Sequence, residues 1–304
     1  MHMTYTEGQT RNPRLSPRLK GLFMTLGGAF CFSLIPLWVR SIEAYSSLSI
    51  AFYRSLFGML FLFFWILRRS GGMNSLDLRG MKRRHLFVLL CVGLSMCITP
   101  VTYYLAIMKT SVAKAVLLHY TAPIYVAILS PFILKEKNTP LTWCAVGAGL
   151  LGTALITEPA GLFKGSAEEL VGIASALVSG IGLAGVFMFG RFLAGHIPSQ
   201  TRALWGCVIV TLLLLPFGIF IPPGHFWHNL PFLFLLGTVS LAIPYTLFFK
   251  GANYITAQAA SIAALFEPVC GILIGLLFFG EYLGPTGFVG AGIVLLSIYI
   301  AGRK

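Results

Sequence analysis

The 304-residue sequence predicts an all-α integral membrane protein, with ten transmembrane helices built as two inverted five-helix repeats around a central cavity. Three observations carry this expectation. The chain is 57% hydrophobic and only 10% charged, where soluble domains carry about 25% charge. Ten apolar runs approach the roughly 20 residues that a bilayer core demands of a helix. The chain also repeats its own punctuation: Pro123, Glu136 and Pro140 recur as Pro268, Glu281 and Pro285, each 145 residues later. The tetrapeptide Val-Gly-Ala-Gly follows both sets, at 146–149 and 289–292.

The elements follow in chain order. Residues 1–19 are polar, with Pro13, Pro17 and several arginines, and read as a cytoplasmic arm. The first run, 20–39, is too long for a signal-peptide core and lacks a small-residue cleavage site, so it is expected to stay as a helix. The second, 48–67, leads into the basic loop 68–84, read as a topology determinant. The third, fourth and fifth runs are 86–108, 113–134 and 140–157, and they close the first repeat, 20–157. A linker at 158–169 precedes the second repeat, 170–304. Its runs are 170–190, 203–221, 230–249, 257–279 and 285–302.

Charge sets the orientation. Seventeen of the 22 lysines and arginines fall in alternate connections that share one face with both termini. That excess predicts cytoplasmic termini in a multi-pass inner-membrane protein. Five helices per repeat is an odd number, so the second repeat must enter from the opposite face. Inverted repeats in a nearly wholly apolar chain are a signature of secondary transporters, whose halves can exchange conformations.

The net charge of +13 belongs to this topology and does not call for nucleic acid. The six cysteines are scattered in apolar runs without metal-type spacing, and read as small core residues. No cofactor or metal is expected. No glycine-rich phosphate loop with Lys-Ser/Thr is present, so nothing suggests ATP hydrolysis. The glycines of the fifth and tenth runs (Gly147, Gly149, Gly152; Gly287, Gly290, Gly292) read as close-packing surfaces, within the protomer or in a homodimer.

Prolines inside the runs mark expected helix breaks. Each removes a backbone donor and frees the carbonyl one turn earlier, which lipid cannot satisfy. Pro123 frees His119, and Pro268 frees Ala264, at matching depths of the fourth and ninth runs. Pro100 and Pro244 do the same in the third and eighth, one position out of register. Pro36 and Pro216 complete the set. Matched breaks in both halves point to a cavity near the midplane; isolated structural kinks are the alternative.

Ionisable groups inside a span cost about 2.5–3.5 kcal/mol each on insertion scales. Glu267, beside a broken backbone, could hold a substrate amine or take up a proton; the alternative is a paired structural carboxylate. His119, at similar depth, suits proton exchange; the alternative is a neutral core histidine. Both are expected to face one cavity from opposite repeats. Among the aromatics, Trp38, Tyr103, Tyr104, Tyr120, Phe187, Trp205 and Tyr245 divide between packing and cavity lining. Rings with a polar tip suit an apolar or aromatic metabolite. Glu136 and Glu281 close their helices at opposite faces and suggest helix-end or gate roles, not substrate binding. Lys109, Lys114 and Arg191 read as interface anchors. Arg54 could bind a carboxylate bidentately, bond freed carbonyls, or snorkel.

These residues carry a resemblance. Tyr104-Leu-Ala-Ile-Met-Lys-Thr-Ser-Val-Ala-Lys-Ala, then Thr121-Ala-Pro-Ile and Leu134-Lys-Glu-Lys, resemble the EamA family of the drug/metabolite transporter superfamily. So do Phe249-Lys-Gly-Ala-Asn-Tyr-Ile-Thr-Ala-Gln-Ala-Ala, Phe266-Glu-Pro-Val and Phe279-Gly-Glu-Tyr in the second half, with Tyr53-Arg-Ser-Leu as an aromatic-Arg motif. The resemblance covers residues 20–302. It implies ten helices around a cavity lined by helices 1, 3, 4, 6, 8 and 9, which puts Arg54 outside the lining in a structural role. It also implies carriage of amino acids or similar small metabolites, often outward. The halves differ at His119-Tyr120 and Glu267, which suits an asymmetric ligand. The sequence thus points to a non-enzymatic carrier with a small-molecule substrate in a lipid bilayer. A membrane-embedded lipid-modifying enzyme and a small-solute channel are the alternatives, but neither an interfacial polar cluster nor a ring of like charge is present.

Overall fold

The computed structural model describes residues 16–69, 76–157, 166–218, 224–280 and 284–303, and among them every element is helical. Ten helices are long and apolar enough to cross a membrane. In order they are Pro17–Val39, Ser47–Arg68, Arg83–Lys109, Val112–Ile133, Pro140–Thr157, Ala167–Phe192, Ser199–Gly218, Phe226–Gly251, Ala257–Phe278 and Pro285–Gly302. They are numbered first to tenth below. The end of the bundle that carries Lys82, Arg83, Arg84, Lys135, Lys137, Arg191 and Arg303 is called the basic end. Apolar side chains such as Phe132, Leu277 and Trp227 stand on the outside, as a lipid solvent allows.

Hydroxyl caps open six of the helices. Ser16 accepts from Leu19 N, Ser46 from Ser49 N, Ser111 from Lys114 N, Thr139 from Thr142 N, Ser166 from Glu169 N and Thr256 from Ala259 N, at 3.1–3.4 Å. Each fills one of the donors that a helix start leaves orphaned. Ser111 and Thr256 stand at equivalent places in the two halves.

The fourth helix runs Val112–His119 and then Ala122–Ile133, broken at Tyr120–Thr121. The ninth runs Ala257–Ala264 and then Phe266–Phe279, broken at Leu265. Pro123 and Pro268 therefore sit in the first turn of new segments, where a missing N–H costs nothing. The first helix is interrupted at Leu34, two residues before Pro36.

Pro100 and Pro244 do not break their helices, contrary to expectation. Arg83–Lys109 runs unbroken through Pro100. In the eighth helix, a five-residue π-helical stretch, Thr238–Ala242, precedes Pro244. The wider turn accommodates the proline ring, and the carbonyl that Pro244 frees, Ser240 O, accepts from Arg54 Nη2 at 2.6 Å. The local sequence shows the lost donor; a neighbouring helix supplies the replacement.

Helices pair across the halves: third with sixth, first with eighth, second with seventh, fourth with ninth, fifth with tenth. Exchanging the halves carries each of these pairings into another or into itself. The fifth and tenth approach most closely where a Cβ built on Gly152 would lie 2.6 Å from Gly290 O, and one on Gly290 2.5 Å from Gly152 O. Gly147 and Gly292 face open space, so only part of each glycine stripe is a packing surface.

The opposite end is tied by Asn229, fully buried, whose Nδ2 donates to Glu43 O (2.8 Å) and whose Oδ1 accepts from Glu43 N (3.1 Å).

Candidate functional site

A cavity of ≈ 90 Å³ lies inside the bundle between residues of both halves. Glu267, His119, Tyr103, Tyr104, Tyr245 and Pro100 all line it. The break in the ninth helix puts Glu267 in the first turn of the segment Phe266–Phe279, where the orphaned N–H groups favour a carboxylate. Tyr120, buried beside it, interacts with that carboxylate. His119 ends the first segment of the fourth helix; its Nδ1 lies 2.9 Å from Ser179 Oγ, and its ring centroid lies 4.6 Å from that of Tyr103, tilted, and 5.1 Å from that of Tyr120, edge-on. Glu267 and His119 thus meet one space from opposite halves.

Four of the expected aromatics stand elsewhere. Tyr120 is buried and lies off the lining. Phe187 is one layer back, its ring 5.5 Å from Phe248, which does line the cavity. Trp38 lies off the lining, and so does Trp205; adjacency to a break in sequence does not fix the direction of a ring around a helix. Phe32, Ile35, Thr99, Leu183, Phe248 and Ala264 complete the wall. Sequence reading did not single them out as lining, since apolar and small neutral side chains in apolar runs carry no mark of which face they occupy.

Arg54 is the main correction. It is 6% exposed and lines the cavity, which adds the second helix to the six that the resemblance implied. Its guanidinium lies 5.8 Å from the Phe32 ring centroid and acts electrostatically on Glu267.

A second cavity, ≈ 410 Å³, opens at the basic end and is lined by Arg18, Glu136, Lys137, Arg191 and Gln258 among others. Glu136 bridges the halves there. Its Oε1 accepts from Arg191 Nε at 2.9 Å and its Oε2 from Ala257 N at 3.0 Å, while Arg191 Nη1 donates to Ala252 O at 2.5 Å. Arg191 is therefore part of an internal network and not an interface anchor. Gln258 Nε2 donates to Pro123 O at 3.2 Å. Ile262 lines the basic-end cavity and Ala264 the central one, so about 3 Å of helix rise separates the two walls. Glu281, expected to mirror Glu136, lies outside the described residues.

Lys114 and Lys109 are also paired, with Glu169 and Glu168 respectively, the first pair buried and the second at 2.8 Å in the open. Arg202 was counted in sequence only as a topology charge. It is fully buried and donates to Gly190 O, Phe249 O and Asn253 Oδ1. No sequence signal distinguished it from the surface arginines.

A model of the EamA-like transporter family matches this chain twice, at residues 19–158 and 170–303. An uncharacterized transporter of Archaeoglobus fulgidus is 30% identical over 91% of this chain and 94% of its own length. The uncharacterized transporter PA0485 of Pseudomonas aeruginosa is 25% identical over 92% of each. The human solute carrier family 35 member G1 is 29% identical over 52% of this chain and 41% of its own. A crystal structure with a TM-score of 0.78 and 17% identity, covering 96% of this chain and all of its own, shares the fold.

Proposed function

The chain belongs to the EamA-like transporter family, and on that premise we propose that it is a secondary transporter of small organic metabolites, amino acids or their derivatives, working by alternating access. The observation that carries the reading is Glu267. A carboxylate in the middle of a span is costly, yet here it faces a cavity built by both halves, beside breaks in the fourth and ninth helices. A solute amine bound there would meet Glu267 in a site of low dielectric, with His119 facing it. The basic end favours a setting in an inner membrane with both termini in the cytoplasm, and export is the direction that the family resemblance implies.

The basic-end network supports a gating role. Glu136, Arg191 and Gln258 join the first half to the second in the wall of the basic-end cavity. In the inverted arrangement that five spans per half require, exchanging the conformations of the halves would open this end and close the other. Breaking the Glu136 contacts is the step that admits solute from the basic side.

The test is counterflow into proteoliposomes loaded with unlabelled members of a metabolite panel. Saturable exchange of a labelled solute, reduced at least about tenfold by Glu267→Gln, is expected for loss of a buried charged contact. Conductance without saturation, or flux untouched by the substitution, overturns the reading.

A further inference from the structure

Two buried arginines contrast. Arg202 uses its donors on three oxygens of the surrounding helices. Both leave Nε without a partner among the described residues, but Arg54, 6% exposed and on the wall of the cavity, makes one side-chain hydrogen bond where Arg202 makes three, Nη2 to Ser240 O. A guanidinium has five N–H donors in a planar fork that matches a carboxylate at two points. Repair of the carbonyl freed by Pro244 needs one of them. A neutral donor would repair it without the cost of burying a cation, which is several kcal/mol unless an anion accompanies it. None of the ion pairs among the described side chains includes Arg54. The charge within reach of its field is Glu267, on the wall of the same cavity.

We propose that Arg54 holds the acidic group of the transported solute while Glu267 holds its amine, so that the cavity selects zwitterions. This rests on the carrier reading above. A molecule with both charges replaces a through-space attraction between Arg54 and Glu267 by two direct contacts. A pure amine leaves Arg54 unpaired, and a pure acid faces Glu267. The present space of ≈ 90 Å³ is small, so the proposal is for a compact zwitterion, with larger ones admitted as the cavity opens past Phe32, Tyr245 and Phe248.

Thermal shift of the full-length protein in detergent tests this with two matched sets: L-alanine, ethylamine and propionate; L-phenylalanine, 2-phenylethylamine and 3-phenylpropionate. Native protein should be stabilised more by the amino acid than by either partner in at least one set. Arg54→Gln should lower amino-acid affinity about tenfold or more, to the level of the amine. Glu267→Gln should lower it to the level of the acid. Arg54→Lys keeps a charge and a donor for Ser240 O but loses the fork, which covers the case in which Arg54→Gln does not fold; it should fall between the two. The proposal is overturned if native protein shows no preference for the amino acid in either set, or if Arg54→Lys or a well-folded Arg54→Gln binds it as native protein does. Counterflow separates the two levels of failure. Exchange of solutes without preference for zwitterions sinks the role of Arg54 and spares the carrier; absence of any exchange across the metabolite panel sinks the carrier.

Discussion

Glu136 and Arg191 are joined at 2.9 Å across the two halves of the chain, and the second oxygen of Glu136 accepts from the start of the ninth helix at Ala257. One side chain thus takes a guanidinium N–H and an orphaned helix N–H together. Both partners are largely covered, with side chains 29% and 14% exposed for Arg191 and Glu136.

Removing either partner should destabilise the basic end. A double-mutant cycle of Glu136→Gln and Arg191→Gln, read by thermal unfolding in detergent, should give a coupling of about 1–2 kcal/mol, between exposed and fully buried pairs. Additive single effects would show that the pair does not hold the halves together.

His119→Ala should lower counterflow alongside Glu267→Gln, since the two line one cavity from opposite halves. Native rates in both variants would remove this cavity from the transport path.

Gly290→Ala should destabilise by about 1–3 kcal/mol, because the new methyl would lie 2.5 Å from Gly152 O. Gly292→Ala, two residues on and facing open space, should be neutral or stabilising by up to about 1 kcal/mol. The measurement is the difference between their melting temperatures; equal values would refute close contact of the fifth and tenth helices.

Asn229→Ala should cost about 2 kcal/mol, since it strands both backbone groups of Glu43. Asn229→Asp keeps the acceptor and should lose roughly half as much. Limited proteolysis at the segment around Glu43 would show the same order if the tie acts locally.

The ten spans were legible because a bilayer imposes one length and one composition on every helix. The breaks at Tyr120–Thr121 and Leu265 were legible from Pro123 and Pro268. Pro100 and Pro244 carry the same local signal, yet their helices continue, since what satisfies a freed carbonyl arrives from elsewhere in the fold. Arg54 was visible as a charge within a span, but its bearing around the helix depends on packing that one sequence does not encode locally. Arg202 was invisible for a further reason: a count of positive charges treats a buried fastening and a solvated anchor alike.

Arg202 reaches from the seventh helix to the last turns of the sixth and eighth, at Gly190 and Phe249. Those three helix ends are therefore fastened at a single knot, and Arg191 adds Ala252 to it. The knot divides the basic end in advance into a stiff plate on one side and the fourth helix on the other. Any parting of that end has to run along the seam between them, where Glu136 and the Gln258 bond to Pro123 are the stitches to be cut.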